Sequence, residues 1–264
     1  MIPYPSINPV IVRVGPFAIR WYGMMYLAGF AASYVLVRHQ IKKKGLPLSR
    51  DFQDTLYTFI ILGLVLGARI GYVIFYNPLF YLHHPLAVFA VWEGGMSFHG
   101  GLIGSVLAGV WCCRRYGVDA WQVADLVVAT APIGLGFGRI GNFINGELYG
   151  RVTDVPWAMV FPGGGPLPRH PSELYEFFLE GVVLFIILWT VKDKVSKKGV
   201  LTALFITLYG VIRFVLEFFR EPDPQLGFIV GPFTMGQILS SVMALAGVLL
   251  LWWRGKTPSS NSGR

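Results

Sequence analysis

Long apolar stretches recur along the chain of 264 residues, separated by short segments in which the charged residues gather. A helix that crosses a bilayer needs about 20 consecutive, mostly apolar residues. The stretches that meet this requirement are residues 17–38, 52–76, 97–114, 120–140, 174–191, 199–219 and 233–253. The pattern therefore predicts an all-α, polytopic membrane protein with seven transmembrane helices.

The composition agrees with a membrane protein and excludes two other classes. Hydrophobic residues make up 54% of the chain and charged residues only 14%, whereas soluble domains contain about 25% charged residues. The 32 glycines and 17 prolines lie among apolar runs, which excludes a disordered chain because disorder requires low hydrophobicity. The two cysteines, Cys112 and Cys113, are adjacent and cannot build a disulfide framework.

The positions of the cations predict the orientation of the helices. Most of the 22 Lys and Arg residues lie in segments 38–50, 114–119 and 192–198 and in the C-terminal tail. Because short cytoplasmic loops are enriched in Lys and Arg, these segments and the C-terminus are predicted to be cytoplasmic and the N-terminus periplasmic. The net charge of +8 is then a signal of topology, and no nucleic acid is expected as a partner.

The chain is predicted to form one seven-span catalytic domain over residues 1–255, followed by a cytoplasmic tail over 256–264. Its start has no basic region followed by an apolar one, so no cleaved signal peptide is predicted. The longest connection, about 141–173, is predicted to be a periplasmic loop, and loops of that length often carry function. Prolines and a glycine pair interrupt residues 77–96, which favours an interfacial or re-entrant segment.

Several polar side chains fall within the predicted spans, where their cost makes them functional candidates. With the predicted topology, all of them lie in the outer halves of their helices. They are Tyr22, Tyr26, Arg69, His99, Arg139, Tyr209, Arg213 and Glu217. The sequence therefore predicts one polar layer just beneath the periplasmic surface.

Some of these residues also have a purely structural explanation. Arg213 and Glu217 are four residues apart and could form an ion pair on one helix. Tyr22 and Tyr26 could belong to an interfacial aromatic belt. Arg69 could be the structural partner of a buried carboxylate.

Arg139 and His99 are the stronger functional candidates. Glycines flank Arg139, and the polar residues that follow it are Asn142, Asn145, Glu147 and Arg151. His99 has small residues on one side, and Glu93 is nearby in the sequence. Both residues are therefore predicted to belong to a functional site.

The residue types of this layer favour phosphate recognition. The sequence shows no His pair at metal-ligand spacing and no carboxylate quartet, so neither a metal nor a cofactor is predicted. Ser97 and His99 lie two residues apart, which does not make a catalytic triad. The arginine fork, in contrast, matches two phosphate oxygens, so at headgroup depth we predict a site for a phospholipid headgroup.

Glycines at regular spacing predict close helix packing. Residues 136–141 satisfy G-x-G-x-x-G, but they end an apolar span and do not follow a strand, so dinucleotide binding is rejected. Glycines four residues apart instead form the small-xxx-small pattern of membrane helix interfaces. They are Gly63, Gly67 and Gly71, Gly100 and Gly104, and Gly134 and Gly138.

Four segments resemble motifs of one known family. In order, they are HGGLIG at 99–104, GRIGNFINGELYGR at 138–151, HPSELYE at 170–176 and YGVIRFVLEFFR at 209–220. This set, together with nearly the whole chain, resembles the bacterial prolipoprotein diacylglyceryl transferases. The resemblance implies a seven-span inner-membrane enzyme with its active site towards the periplasmic leaflet.

The resemblance also implies an activity and its partners. The enzyme would transfer the diacylglyceryl group of phosphatidylglycerol to the lipobox cysteine of a prolipoprotein, forming a thioether and releasing glycerol phosphate. The partners would be phosphatidylglycerol, the signal peptide and lipobox cysteine of the prolipoprotein, and membrane lipids.

The resemblance further implies roles for individual residues. Arg139 and Arg213 would bind the lipid phosphate. The catalytic set would be His99, Arg139, Tyr209, Arg213 and Glu217. The set that binds phosphatidylglycerol would be Tyr26, Arg139, Asn142, Glu147, Gly150 and Arg213.

The attacking thiol needs to lose its proton, because a free cysteine has a pKa of about 8.5. His99 is the favoured base, with Tyr209 or a phosphate oxygen as alternatives.

Two other functional classes stay open at this point. A membrane anion or lipid transporter predicts polar groups at the bilayer midplane, broken helices and an inverted repeat. Another phospholipid headgroup enzyme, such as a phosphatase or an acyltransferase, would use water or a hydroxyl group as the nucleophile.

Overall fold

A computed structural model of the chain describes residues 2–15, 17–91, 94–222 and 227–256. Helices dominate the described residues, as predicted. The helices are α1 (Trp21–Lys43), α2 (Arg50–Phe75), α3 (Pro78–His83), α4 (Phe98–Arg115), α5 (Ala120–Val128), α6 (Ala131–Asn145), α7 (Ser172–Glu176), α8 (Leu184–Val191), α9 (Val200–Leu216) and α10 (Met235–Lys256). A 3₁₀ turn occupies Pro85–Phe89, and a π-helical stretch, Phe177–Val183, joins α7 to α8.

Two antiparallel hairpins complete the fold and were not predicted. The first pairs β1 (Val10–Val14) with β2 (Phe17–Arg20), and the second pairs β3 (Phe228–Val230) with β4 (Phe233–Thr234). Glycine in the left-handed region turns the chain in each, with φ of 59° at Gly15 and 55° at Gly231. The first helix consequently begins at Trp21, whereas the apolar pattern placed the start of the span at residue 17.

The apolar helices identify a helical membrane protein. By length and composition, three described helical segments could cross a bilayer: Arg50–Phe75, Ser172–Val191 and Met235–Lys256. A fourth is possible if α5 and α6, which meet at a bend of 45°, form one span. Pro132 follows the break directly, and proline cannot donate the backbone hydrogen bond that a continuous helix requires. Helices also occupy the other predicted spans, and seven crossings stay a prediction.

The chain divides into two compact units. The larger unit comprises Met1–Val37 and Ala124–Arg264, and the smaller unit comprises Arg38–Val123. A single catalytic domain over residues 1–255 stays a prediction. The end of the predicted cytoplasmic tail, residues 257–264, lies outside the described residues.

Close glycine contacts hold α2 against α4 in the smaller unit. A Cβ atom added to Gly67 would lie 2.9 Å from Cα of Gly104, and one added to Gly71 would lie 2.9 Å from Cα of Gly100. Because no side chain fits between these backbones, the small-xxx-small prediction is confirmed for this helix pair. It is wrong for Gly138, where an added Cβ would meet no atom of the described residues within 4 Å.

The larger unit is packed in a similar way around α6. A Cβ atom on Gly29 of α1 would lie 3.0 Å from Cα of Gly134, and one on Gly181 would lie 2.8 Å from Cα of Gly136. Buried apolar side chains also form a core cluster in this unit. They are Ala129, Leu184, Leu188 and Leu201. This packing fixes α6 beside α1 and beside the π-helical stretch.

A partly buried carboxylate caps α9. Asp125 of α5 accepts hydrogen bonds from the backbone nitrogens of Gly199 and Thr202, at 2.6 and 2.8 Å, and from the Thr202 hydroxyl group at 2.6 Å. The first backbone N–H groups of a helix have no partner within that helix. Asp125, which lies on α5, supplies acceptors for such groups at the start of α9.

The Asp125→Ala substitution is expected to lower the free energy of unfolding by about 2 kcal/mol, because hydrogen bonds to a charged group are lost and the start of α9 loses its acceptor. Thermal unfolding in detergent would measure the change. Asp154→Ala, at an exposed loop position, is the control. Equal stability of the two variants would contradict this role for Asp125.

Candidate active site

Two arginines from different helices meet on one buried carboxylate. Nε of Arg139, on α6, lies 2.7 Å from Oε2 of Glu176, and Nη1 of Arg213, on α9, lies 2.6 Å from Oε1 of the same side chain. Glu180 also contacts both arginines, at 3.4 Å from Nη2 of Arg139 and 3.8 Å from Nη1 of Arg213. The two glutamates therefore bridge α6 and α9 through charged contacts.

Further contacts extend this cluster along α9. Nη2 of Arg213 lies 2.8 Å from Oε2 of Glu217, and Nη1 of Arg220 lies 3.6 Å from Oε1 of Glu176. The hydroxyl group of Thr234 donates a 3.0 Å hydrogen bond to Oε1 of Glu217. The ion pair of Arg213 with Glu217 on one helix is thus present, but Arg213 also pairs with Glu176. We call the six charged residues Arg139, Glu176, Glu180, Arg213, Glu217 and Arg220 the arginine–glutamate cluster.

Burial makes these contacts strong. The side chains of Glu176 and Glu180 have no exposed surface, and those of Arg139 and Arg213 are 17% and 14% exposed. Buried charges are tolerated where oppositely charged partners surround them. The cluster contains three arginines and three glutamates, so its formal charges balance.

Arg139 and Arg213 nevertheless keep unused donors. Nη1 of Arg139 and Nε of Arg213 make no hydrogen bond or ion pair to the described residues. Each guanidinium group has five N–H donors in a planar fork. An anion that reaches the exposed part of these side chains would therefore find available donors on two helices.

The π-helical stretch shapes this part of the protein. Glu176 directly precedes it and Glu180 lies within it. Gly181, in the same stretch, approaches the backbone of Gly136 on α6. Such single π-helical turns occur frequently at functional sites, and this one places both glutamates opposite Arg139.

A second polar group forms at the C-terminal end of α6. Asn142 and Asn145 each donate a 3.0 Å hydrogen bond from Nδ2 to Oε1 of Glu147. Gly146 ends the helix in the left-handed conformation, with φ of 67°, and returns Glu147 towards α6. Asn142 is three residues from Arg139, and residues at that spacing share a helix face.

Gly150 lies in a tight crossing of backbones. A Cβ atom there would lie 2.5 Å from the carbonyl oxygen of Phe219 and 2.7 Å from Cβ of His170. The Gly150 nitrogen donates a 2.8 Å hydrogen bond to the His170 carbonyl, and Arg151 donates one of 2.9 Å to Phe219. Gly150 therefore joins the loop to the end of α9 through its backbone.

The same loop is fixed by several side chains. Arg169 donates to the Gly150 carbonyl at 3.2 Å and pairs with Glu221 at 3.0 Å. His170 shares a 3.1 Å hydrogen bond with the Tyr175 hydroxyl group. Partial burial lowers the pKa of His170, which favours its neutral form. These contacts indicate a structural role for His170.

The tyrosines of the predicted layer also belong to the larger unit, where Tyr209 and Tyr22 both interact electrostatically with Arg139. The hydroxyl groups of Tyr22 and Tyr26 share a 3.1 Å hydrogen bond on α1, and Tyr22 packs on Gly141 of α6. Tyr26 is 40% exposed. Tyr209 packs against the buried cluster of Leu184 and its neighbours, one turn before Arg213 on α9.

His99 and Arg69 belong to the smaller unit. His99 is exposed in the first turn of α4, where the Ser97 hydroxyl group accepts a 3.3 Å hydrogen bond from the nitrogen of Gly100. Glu93, the carboxylate near His99 in the sequence, lies outside the described residues.

Arg69 is held by backbone carbonyl groups. Its side chain donates to Ala87 and Gly94 at 2.6 Å, to Val88 at 2.8 Å and to Gly95 at 3.1 Å. Arg69 therefore makes structural contacts, as its structural alternative predicts. Its partners are backbone carbonyl oxygens, however, and not the buried carboxylate that this alternative named. The segment it holds contains α3 and the 3₁₀ turn, in agreement with the predicted break in 77–96.

Glu176 and Glu180 are the main residues of this region that the sequence analysis did not select. They lie in a stretch that was counted as apolar, yet Glu173, Glu176 and Glu180 recur at a spacing that places them on one helix face. That spacing, together with the cost of a carboxylate in a span, was the available signal. No group of three or more His, Cys, Asp or Glu residues in the described ranges is arranged to hold a metal ion.

Comparison with known proteins places the chain in a family. Residues 9–253 match the sequence model described as prolipoprotein diacylglyceryl transferase. A protein of Desulfotalea psychrophila named phosphatidylglycerol–prolipoprotein diacylglyceryl transferase is 54% identical, over 95% of this chain and 94% of the relative. A protein of the same name from Geobacter sulfurreducens is 54% identical, over 94% of this chain and 95% of the relative. One from Pseudomonas aeruginosa is 50% identical, over 96% of both this chain and the relative. The chain belongs to the prolipoprotein diacylglyceryl transferase family.

Proposed function

We propose that this protein transfers the diacylglyceryl group of phosphatidylglycerol to the lipobox cysteine of a prolipoprotein. The proposal rests on one observation in a chain of this family: Arg139 and Arg213 both contact Glu176, and each has N–H donors left for a ligand. Two guanidinium groups on separate helices suit the phosphate of a lipid headgroup, since each can bind two oxygens.

The reaction is a displacement at carbon. The cysteine sulfur forms a bond to the terminal glyceryl carbon, the bond from that carbon to the phosphate oxygen breaks, and glycerol phosphate leaves with the electron pair. Negative charge grows on the leaving oxygens, and fixed arginines in a water-poor site stabilise that charge. The attacking sulfur belongs to the substrate, so the reaction needs no nucleophile from the enzyme.

The proton of the thiol has to leave during this step. We assign it to His99, whose ring is exposed in the first turn of α4, because imidazole is the usual base near neutral pH. Tyr209 and a phosphate oxygen are the alternative acceptors. Exchange of His99 for Gln and of Tyr209 for Phe in the transfer assay would separate them.

The remaining predicted residues receive supporting roles in the proposal. Asn142 and Glu147 orient the polar end of α6, which carries Arg139. Glu217 positions Arg213 through their 2.8 Å ion pair. Tyr26 contributes an exposed ring on α1 to lipid binding, and Gly150 acts through the backbone crossing described above.

The topology belongs to the same proposal. Seven crossings with a periplasmic N-terminus and a cytoplasmic C-terminus would place the arginine–glutamate cluster at the periplasmic leaflet of the bacterial inner membrane. The distribution of Lys and Arg between alternate loops supports this orientation.

Mass spectrometry of a lipobox peptide tests the proposal directly. Purified protein, phosphatidylglycerol and the peptide should yield a peptide that carries one diacylglyceryl group, together with one equivalent of glycerol phosphate. Release of glycerol phosphate without modification of the peptide would instead indicate a headgroup hydrolase. Movement of labelled anion or lipid across vesicles without either product would indicate a transporter, for which the bend between α5 and α6 is the favourable observation.

A further inference from the structure

The arginine–glutamate cluster is already neutral before any lipid phosphate arrives. Its three arginines are matched by three glutamates. One of these glutamates, Glu176, contacts Arg139, Arg213 and Arg220. A phosphate bound to the unused donors of Arg139 and Arg213 would share both guanidinium groups with that carboxylate. Glu176 therefore competes with the ligand for the same positive charge.

The charge of the ligand changes during the proposed reaction. Phosphatidylglycerol is a phosphodiester with one negative charge, whereas the released glycerol phosphate is a monoester with about −1.5 to −2 at pH 7. The additional charge of the product appears next to carboxylates that have no exposed surface. Repulsion between buried like charges is poorly screened by water and salt.

We propose that Glu176, assisted by Glu180, limits the charge of the phosphate group that Arg139 and Arg213 can hold. The pair of glutamates tolerates the monoanionic substrate and favours dissociation of the more highly charged product. They are thus specificity-determining residues that select against phosphate monoesters. The inference rests on the proposed function for the identity of the ligand, but its electrostatic part concerns the affinity of the site for any phosphate monoester.

Glu173 provides a matched control within the same helix. Its side chain is also completely buried, and it lies three residues before Glu176. It forms no ion pair with the arginines of the described part of the chain. The carboxylate of Glu173 interacts with Arg139 and Arg220 only electrostatically over a longer distance, so its replacement by Gln leaves the ion pairs of Arg139 and Arg213 in place.

A purely structural role for Glu176 predicts the opposite result. If Glu176 only held the two arginines in place, its loss would loosen them and would weaken the binding of every phosphate ligand. If it limits charge, its replacement by Gln keeps the shape of the side chain, leaves an excess positive charge and strengthens the binding of a monoester. The sign of the change in affinity therefore separates the two roles.

The experiment measures binding of glycerol 1-phosphate to the full-length protein in detergent by isothermal titration calorimetry. Relative to the unmodified protein, Glu176→Gln should bind glycerol 1-phosphate about tenfold more tightly, and Glu180→Gln should change in the same direction by less. Glu173→Gln, which removes no ion pair of Arg139 or Arg213, should change the affinity much less than Glu176→Gln does. In the transfer assay, product inhibition by glycerol 1-phosphate should strengthen in the same order.

If a folded Glu176→Gln variant binds glycerol 1-phosphate with lower or unchanged affinity, the inference is overturned. It is also overturned if Glu173→Gln raises the affinity as much as Glu176→Gln does. If Glu176→Gln does not fold, the Glu180→Gln variant decides by the same criterion. The binding measurement does not require turnover, so absence of thioether formation by the unmodified protein would reject the proposed function without deciding the electrostatic inference.

Discussion

The Arg139→Lys variant should lose thioether formation by about 100-fold or more, although it keeps the positive charge. Nε of Arg139 binds Glu176 while Nη2 binds Glu180, and Nη1 stays available for a ligand. A lysine ammonium group is a single point and cannot contact both glutamates and a phosphate in this geometry. The variant should therefore retain its fold but lose the orientation of the donor. Quantitative mass spectrometry of the lipobox peptide measures the loss.

Arg50→Lys is the control for this experiment. Arg50 starts α2, its side chain is 76% exposed, and it lies 3.9 Å from Asp54. Exposed ion pairs of this kind contribute little to stability, so activity should not change. Normal turnover by Arg139→Lys would remove Arg139 from the proposed site.

The Gly150→Ala variant should lose both stability and activity, by about 3 kcal/mol and 100-fold, because a methyl group cannot fit at the backbone crossing. The carbonyl oxygen of Phe219 and Cβ of His170 would lie 2.5 and 2.7 Å from the new carbon atom. Relief of this overlap requires separation of the loop from the end of α9, next to Glu217 and Arg220. The loss of activity would then follow from a displaced cluster.

Limited proteolysis of the 151–170 segment, together with thermal unfolding, measures this effect. Gly163→Ala in the same loop is the matched control, since its added Cβ would be 3.8 Å from the nearest atom, an ordinary contact. An inactive Gly150→Ala variant with unchanged stability and unchanged proteolysis would instead support direct contact between Gly150 and the lipid.

The sequence predicted the helices well because their signal is local. Runs of apolar residues and the cations between them depend on neighbouring positions only, and helices occur in every stretch that was named. The two hairpins were missed because β2 and β4 lead directly into apolar helices, so their residues were absorbed into the predicted spans. The bend after Val128 was missed because Pro132 lies within an otherwise continuous apolar run.

The candidate site was predicted in part. Arg139 and Arg213 stood out because a guanidinium group in an apolar span is conspicuous. Their bridging partner did not, since Glu176 is 37 residues from each of them in the sequence and only the packing of three helices brings the groups together. The spacing of the glutamates marks a polar helix face, but it does not indicate which arginines contact that face.

Arg69 binds the chain at Ala87, Val88, Gly94 and Gly95 through main-chain oxygens, and its guanidinium group also lies 5.3 Å from the centroid of the Tyr81 ring. At Ala87 and Val88 any amino acid supplies the same carbonyl group. Gly94 and Gly95, in contrast, have φ of 88° and 75°, and a Cβ atom at Gly95 would lie 2.9 Å from Nη1 of Arg69. Leu86 and Phe89, which are 82% and 72% exposed, are under no constraint from Arg69. The outward side chains at these two positions can therefore be exchanged while the anchor of the segment to α2 is preserved.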